Sequence, residues 1–444
     1  LQLYTEHTFA YPGHEVVWEN ASPMSAEEIQ ALDAYCRERF IELVPNQNSF
    51  GHMHRWLKHE EYKHLGETPT SSDLCPTNPG SIELLRSMYD GLLPNFSSDK
   101  VNVGCDETFS LGKGGSKAEV NRIGKGRVYL NFLKQIYALV QEHGKTMQFW
   151  GDIILEYPEL IPALPKNIIA MEWGYEANHP FAKRGQKFAA SGIPFYVCPG
   201  TSSWNSLLSR TDNALENLRL AAQNGLENGA SGYLITDWGD NGHWQFAPIS
   251  FVPFAWGAAV SWANEANQNL NLARAADVHV FQDGAGVMSQ AAMNLGNAHA
   301  LTGVIRGNST VYYGLLMHAL QGNPATGYLK GLTLDGLKNC RAQLEDALAR
   351  MKNAQMKRAD ADLILAEFAM NTRMALFAVR LGEERLKAGG VSTPQLPANV
   401  RASLVKELED MIAEYRALWL SRNRPGGLDD STARLDAIVA QLTR

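Results

Sequence analysis

Two acids stand side by side in this chain, Asp106 and Glu107, at the end of the run VNVGCDETF that begins at Val101. Most Asp-Glu pairs are solvated surface residues. A pair that closes a buried apolar strand is different, because it faces whatever lies beyond the strand's end. Two carboxyls this close resist ionising together, so one can hold its proton near neutral pH while the other carries charge. That is the equipment for protonating a departing oxygen and steadying the positive charge left behind.

The same class of position recurs along the first part of the chain. Glu6 and His7 follow the first apolar run, and Asn48 and His52 follow the second. After Asp106 and Glu107 come Trp150 and Asp152, then Glu172, Trp173 and Tyr175, then Trp204, and last Asp237, Trp238, Asp240 and Asn241. Carboxylates and tryptophans at run ends are the lining of a sugar pocket: indole stacks on the apolar ring face, and carboxylates and amides hold its hydroxyls. His7, His14, His52, His54 and His59 match no helical H-E-x-x-H spacing, so hydrogen-bonded structural histidines are expected rather than a metal site, and no cofactor is implied. Gly112–Lys117, GKGGSK, lacks the order of a phosphate loop and reads as a flexible loop.

These residues need a scaffold that gathers strand ends. Up to about residue 263, short apolar runs alternate with amphipathic stretches. The runs are LQLYTEHTF, IELVPNQNSFGHMHRW, VNVGCDETF, MQFWGDII, NIIAMEWGYE, PFYVCPGTSSW and GYLITDWGDNG. Helices are predicted from Ser25, whose serine and early glutamates mark a start, around RVYLNFLKQIYALVQEHG with Gly144 as its stop, and near 179–191 and 213–228. Strand–helix alternation gives a parallel sheet covered by helices, and this many units predicts an α/β fold of the (β/α)8 TIM-barrel type. From Asn264 to Arg444 the pattern becomes helical throughout, as in LKNCRAQLEDALARMKNAQ and VRASLVKELEDMIAEYRALWLSR. A catalytic barrel over 1–263 and an all-α domain over 264–444 are therefore expected.

Composition narrows the partners. An apolar content of 45% and charged content of 20% are those of a globular protein, and a net charge of −7 argues against nucleic acid or an anionic membrane surface. The five scattered cysteines form no C-x-x-C pair and read as buried thiols in a reducing compartment, so a cytoplasmic location is expected. The opening residues, from Leu1 to His7, are not a basic stretch followed by an apolar one.

VNVGCDE resembles the strand-end motif H-x-G-G-D-E of glycoside hydrolase family 20, the β-N-acetylhexosaminidases. PNQNSFGH, from Pro45, is similar to that family's P-E-x-D-x-P-G-H, with Asn48 where an Asp is usual and His52 on the histidine. FWGD and WGDNG resemble its tryptophan motifs, and the helical tail with RNRPGGLDDS looks closest to a bacterial exo-acting branch. The resemblance implies removal of a terminal β-linked N-acetylhexosamine from an oligosaccharide or glycoconjugate, with Glu107 as general acid. Asp106 would orient the 2-acetamido group, whose carbonyl oxygen attacks the anomeric carbon, so the enzyme supplies no nucleophile. It also implies that Trp150, Trp173 and Trp238 wall the sugar and that Asp240 and Glu6 hold its outer hydroxyls.

The chain departs from the family in three places. Asn48 removes a charge that would pair with His52. Where the family has a Tyr for the acetamide carbonyl, CPGTSSWNS offers Trp204, leaving Tyr175 or Tyr196 to supply a phenol. LQLYTEHTF aligns with the family's second strand, so the first β/α unit is expected either upstream or from a partner chain, as in a homodimer. Two other readings remain: a retaining β-glycosidase whose nucleophile is Asp106, Asp152, Glu172 or Asp240, and a non-catalytic carbohydrate-binding barrel.

Overall fold

The computed structural model describes residues 1–318 and 320–444. Seven strands form one sheet: β1 (Gln2–Tyr4), β2 (Val44–Asn46), β3 (Lys100–Asn102), β4 (Thr146–Trp150), β5 (Ile169–Trp173), β6 (Phe195–Cys198) and β7 (Gly232–Tyr233). Each pairs in parallel with the next, in unbroken chain order. The register runs through Leu3 with Pro45, Val101 with Met147, Phe149 with Ala170, Met171 with Tyr196, and Val197 with Tyr233. A doubly wound sheet reverses its strand order at a switch point. This sheet does not, and with its intervening helices it is of the (β/α)-barrel type. Among the described residues β1 pairs only with β2, and β7 only with β6.

Each predicted run overlaps one of these strands, with β3 and β4 starting one residue before theirs, and each strand is shorter than its run. The pairing stops where the chain turns out of the sheet, so the polar ends of the runs become loops.

The helices begin and end for local reasons. Ala26–Arg37 starts at a capping box in which the Ser25 hydroxyl accepts the Glu28 amide at 3.2 Å and Glu28 accepts the Ser25 amide at 2.9 Å. Lys125–Glu142 buries Val128, Phe132, Leu133, Ile136 and Val140, a helical stripe, and stops just before Gly144 at φ 66°. Phe181–Ser191 and Thr211–Glu227 lie where the spacing predicts them. Pro79–Leu92, capped by Asn78, is an additional helix between β2 and β3.

The chain forms two compact units. One comprises Leu1–Trp173, Pro180–Cys198 and Asn224–Leu234 and holds the sheet. Its aromatic core includes Phe50, stacked on Tyr129 with centroids 5.6 Å apart, and fully buried Trp56 edge-on to Tyr11.

The other comprises Gly174–His179, Pro199–Gln223 and Ile235–Arg444. Its long helices are Leu334–Met351, Ala361–Lys387, Ala398–Arg422 and Leu428–Thr443. In the first of them Leu337, Cys340, Leu344, Ala347 and Met351 form a buried stripe at three- and four-residue spacing. All five cysteines are free and buried. Among the described residues no helix is long and apolar enough to cross a membrane.

Candidate active site

The turn after β3 holds the acid pair in unusual backbone. Gly104, Cys105 and Glu107 have φ of 70°, 73° and 50°, the left-handed region that side chains avoid. Three contacts in the sheet-bearing unit hold it there. The Tyr129 hydroxyl donates to the Cys105 carbonyl at 2.9 Å, the Glu107 amide donates to Asp152 Oδ2 at 3.1 Å, and the Asn102 side chain accepts the Gly104 amide at 2.9 Å. Gly51 leaves room for the turn, because a Cβ there would sit 2.3 Å from the Asp106 carbonyl oxygen.

His52, itself at φ 57°, joins the two acids: its Nε2 lies 3.2 Å from Asp106 Oδ2 and 3.4 Å from Glu107 Oε2. Burial opposes a charge on this imidazole. The hydrogen bonds and charges of Asp106 and Glu107 outweigh that opposition and push it up to about 11, so it is an imidazolium at neutral pH. The charge missing at position 48 is thus replaced. Asn48 instead donates to the Tyr4 hydroxyl at 2.7 Å, and His52 takes its partners from the acid pair. Asp106 Oδ1 is buried with no hydrogen-bond partner among the described residues.

Asp152 is the third acid of this cluster. Burial first, and the Asp106 charge second, push it up to about 7, while the Glu107 amide and the Trp173 indole pull it back. Trp150, at the end of β4, is buried, and Trp173, at the end of β5, is half-buried. Glu172 points to the other side of β5: it is buried and pairs with Arg184 at 2.8 Å, a structural ion pair. Glu6, at φ 47°, lies 3.6 Å from His54 and 3.9 Å from His7; burial raises its carboxyl, and Arg55 and His52 oppose that. Its carbonyl accepts from Gln47 Nε2 and Trp56 Nε1, both at 3.0 Å. His14, bonded to Tyr62 at 2.7 Å and Ser87 at 2.9 Å, has a structural place.

Two expectations need correction within this unit. Tyr196 does not join the acids: its phenol lies toward Lys100, Glu42 and Asp99, at the opposite end of the sheet, because the residue occupies an early position in β6 whose side chains face that end. The stretch GKGGSK is not loose either. The amides of Gly112, Gly114 and Ser116 and the Ser116 hydroxyl all converge on Glu67 Oε1, at 2.7 to 3.2 Å. The glycines wrap a buried carboxylate of their own chain.

The helical unit carries the remaining residues. Trp238 donates its indole N–H to the Tyr175 hydroxyl at 2.9 Å, which leaves that phenol its own O–H to donate. Trp204 is fully buried, edge-on to Tyr175 with centroids 4.9 Å apart, and so backs the phenol rather than replacing it. Asp237 accepts from Thr201 at 2.5 Å, Ser203 at 2.7 Å and Ser250 at 2.8 Å, which makes it an anchor of its loop. Asp240 is exposed and borders a small crevice with Asn205, Asn241 and Tyr313.

Nothing in the sequence tied Tyr129 or Gly51 to the acid turn, and Asp152 stood there only as a strand-end acid and a candidate nucleophile, not as a partner of the Glu107 amide.

A model of the glycosyl hydrolase family 20 catalytic domain matches residues 9–222. Hexosaminidase D of Homo sapiens is 25% identical over 209 residues, 44% of this chain and 43% of that protein. Hexosaminidase D of Bos taurus is 25% identical over 234 residues, 48% of this chain and 66% of that protein. A third or more of each relative thus has no counterpart in the matched stretch. A chitobiase from Flavobacterium johnsoniae has the same fold, with a TM-score of 0.51 over 99% of this chain and 73% of its own, at 15% identity. Residues 9–222 of this chain are thus similar to the catalytic domain of glycosyl hydrolase family 20.

Proposed function

We propose that this protein is an exo-β-N-acetylhexosaminidase that releases terminal β-linked GlcNAc or GalNAc by a substrate-assisted, retaining mechanism. The observation that carries the reading is the acid turn: Asp106 and Glu107 adjacent after β3, bridged by His52, with Asp106 Oδ1 buried and unpartnered among the described residues. A buried carboxylate oxygen with an open lone pair suits the N–H of a 2-acetamido group. Glu107 gives its proton to the glycosidic oxygen as the acetamide oxygen bonds to the anomeric carbon and the C–O bond breaks. The positive charge then sits on a cyclic oxazolinium beside Asp106. Water, losing a proton to Glu107, opens that ring from the β face and restores the sugar with its configuration kept. In the sheet-bearing unit Trp150 and Trp173 are the proposed walls for a sugar and Glu6 a contact to an outer hydroxyl; in the helical unit Trp238, Tyr175 and Asp240 are the residues that the family resemblance assigns to the sugar and its acetamide.

The test is a panel of chromogenic aryl β-glycosides on the purified protein. Turnover of the N-acetylglucosaminide or N-acetylgalactosaminide, with none of the plain glucoside, is the expected result. Equal turnover of the glucoside would point to a protein nucleophile, and sugar binding without any turnover would point to a binding module.

A further inference from the structure

We infer that Asp152 is a positioning residue for the acid Glu107, holding the peptide of that residue in its left-handed turn. The inference rests on the reading of Glu107 as the acid. Asp152 opens the short helix Asp152–Leu155 directly after Trp150 and Gly151, so β4 fixes where its carboxylate stands. Its Oδ2 accepts the Glu107 amide at 3.1 Å, and Glu107 is a non-glycine residue at φ 50°. A left-handed residue persists only where its surroundings over-determine it. The remaining restraint on the Glu107 peptide is its carbonyl, which accepts from the Phe109 amide at 2.7 Å. His52 reaches the Glu107 carboxylate from the loop after β2, so what Asp152 adds is a cross-strand hold on the Glu107 peptide. The Trp173 indole, from the end of β5, lies close to the same carboxyl.

Asp152 is also close enough to the acid pair to feel it. Its Oδ1 is buried and unpartnered among the described residues, as is Oδ1 of Asp106. The charged or titratable groups around it are Asp106 and Glu107 on the turn after β3, with Cys105 on the same turn and Tyr129 on the helix behind. Burial first and the Asp106 charge second raise its carboxyl, to about 7, and the proton is shared between two interacting acids.

The experiment compares Asp152→Asn and Asp152→Ala with the wild type on an aryl N-acetylglucosaminide having a poor leaving group. Asparagine keeps an acceptor for the Glu107 amide and loses the titration, whereas alanine loses both. Alanine should lower kcat by about 100-fold with KM little changed, the scale of a misplaced catalytic group. Asparagine should restore most of that loss, while the step near pH 7 in the wild-type kcat profile disappears. Wild-type kcat in the alanine variant, or a pH step that survives in the asparagine variant, would overturn the inference. Should alanine fail to fold, the asparagine profile decides. A second readout needs no turnover: the fluorescence difference between wild type and Trp173→Phe should titrate near pH 7 and stay flat when both carry Asp152→Asn. If no glycoside is hydrolysed but that titration is seen, the proposed activity fails and the Asp152 anchor stands. If hydrolysis is seen without the titration, the activity stands and the anchor fails.

Discussion

In the proposed mechanism Glu107 and Asp106 carry different burdens, and substitution separates them. Glu107→Gln removes a proton donor, so turnover of substrates with poor leaving groups should fall roughly 10²–10⁴-fold. Activated aryl glycosides, whose leaving groups need no proton, should be largely spared; equal losses on both would show that Glu107 is not the acid. Asp106→Asn weakens ring formation and should damage both substrate classes alike. A thiazoline mimic of the cyclic intermediate should inhibit the wild type far more tightly than free GlcNAc does. Inhibition no tighter than by the free sugar would remove the substrate-assisted mechanism. His52 has a thermodynamic signature of its own. Its value in the folded chain is about 11 against an ordinary 6.5, so its stabilising contribution is whole below pH 6.5 and is lost as pH rises through 11. The melting-temperature gap between wild type and His52→Gln should therefore be widest in mild acid and close at alkaline pH.

At the scale of elements, the site depends on how closely two loops approach. The β2 loop passes under the acid turn at Gly51, where a Cβ would meet a backbone oxygen at 2.3 Å rather than the yielding tip of a side chain. Gly51→Ala must move one loop or the other. A cost of about 1–3 kcal/mol in stability is expected from such overpacking, together with a fall in kcat that exceeds any change in KM. Chemical denaturation and steady-state kinetics on the one variant check both. Unchanged kcat would mean that the turn tolerates displacement.

The largest scale at which the helical unit bears on chemistry is the long-range grip on its own loop. Asn371, on the helix Ala361–Lys387, donates to the Trp244 carbonyl at 2.7 Å and accepts the Phe246 amide at 3.0 Å. Tyr415 donates to the His243 carbonyl at 3.0 Å, and Trp244 donates to the Ser431 carbonyl at 3.0 Å. Gln245, in the same stretch, donates to the Trp238 carbonyl at 2.8 Å. Helices far along the chain thus fix the segment that presents Trp238 and Asp240. Asn371→Ala leaves a buried amide and carbonyl unpaired and should cost about 1–3 kcal/mol. If Trp238 and Asp240 hold the sugar, KM should rise while kcat on bound substrate holds. A variant with unaltered KM would assign the helices to stability alone.

Much of this was written in local sequence. The alternation of apolar runs with capped amphipathic stretches determined seven parallel strands and their order, because strand and helix periods and the Ser25 and Gly144 signals act over a few residues. The position of Asp106 and Glu107 at the end of VNVGC was likewise legible, since a strand's length fixes where its last side chains emerge. What only tertiary structure decided were relations between distant residues. That His52 bridges both acids, that Asp152 holds the Glu107 peptide, and that Tyr196 faces the far end of its sheet depend on register and on which residue of each run leaves the sheet. A single position of slip reverses the face of a strand residue, and no local pattern encodes that. The glycine stretch at 112–117 makes the same point: its composition suggested slack, and a carboxylate 45 residues upstream of Gly112 supplied the order.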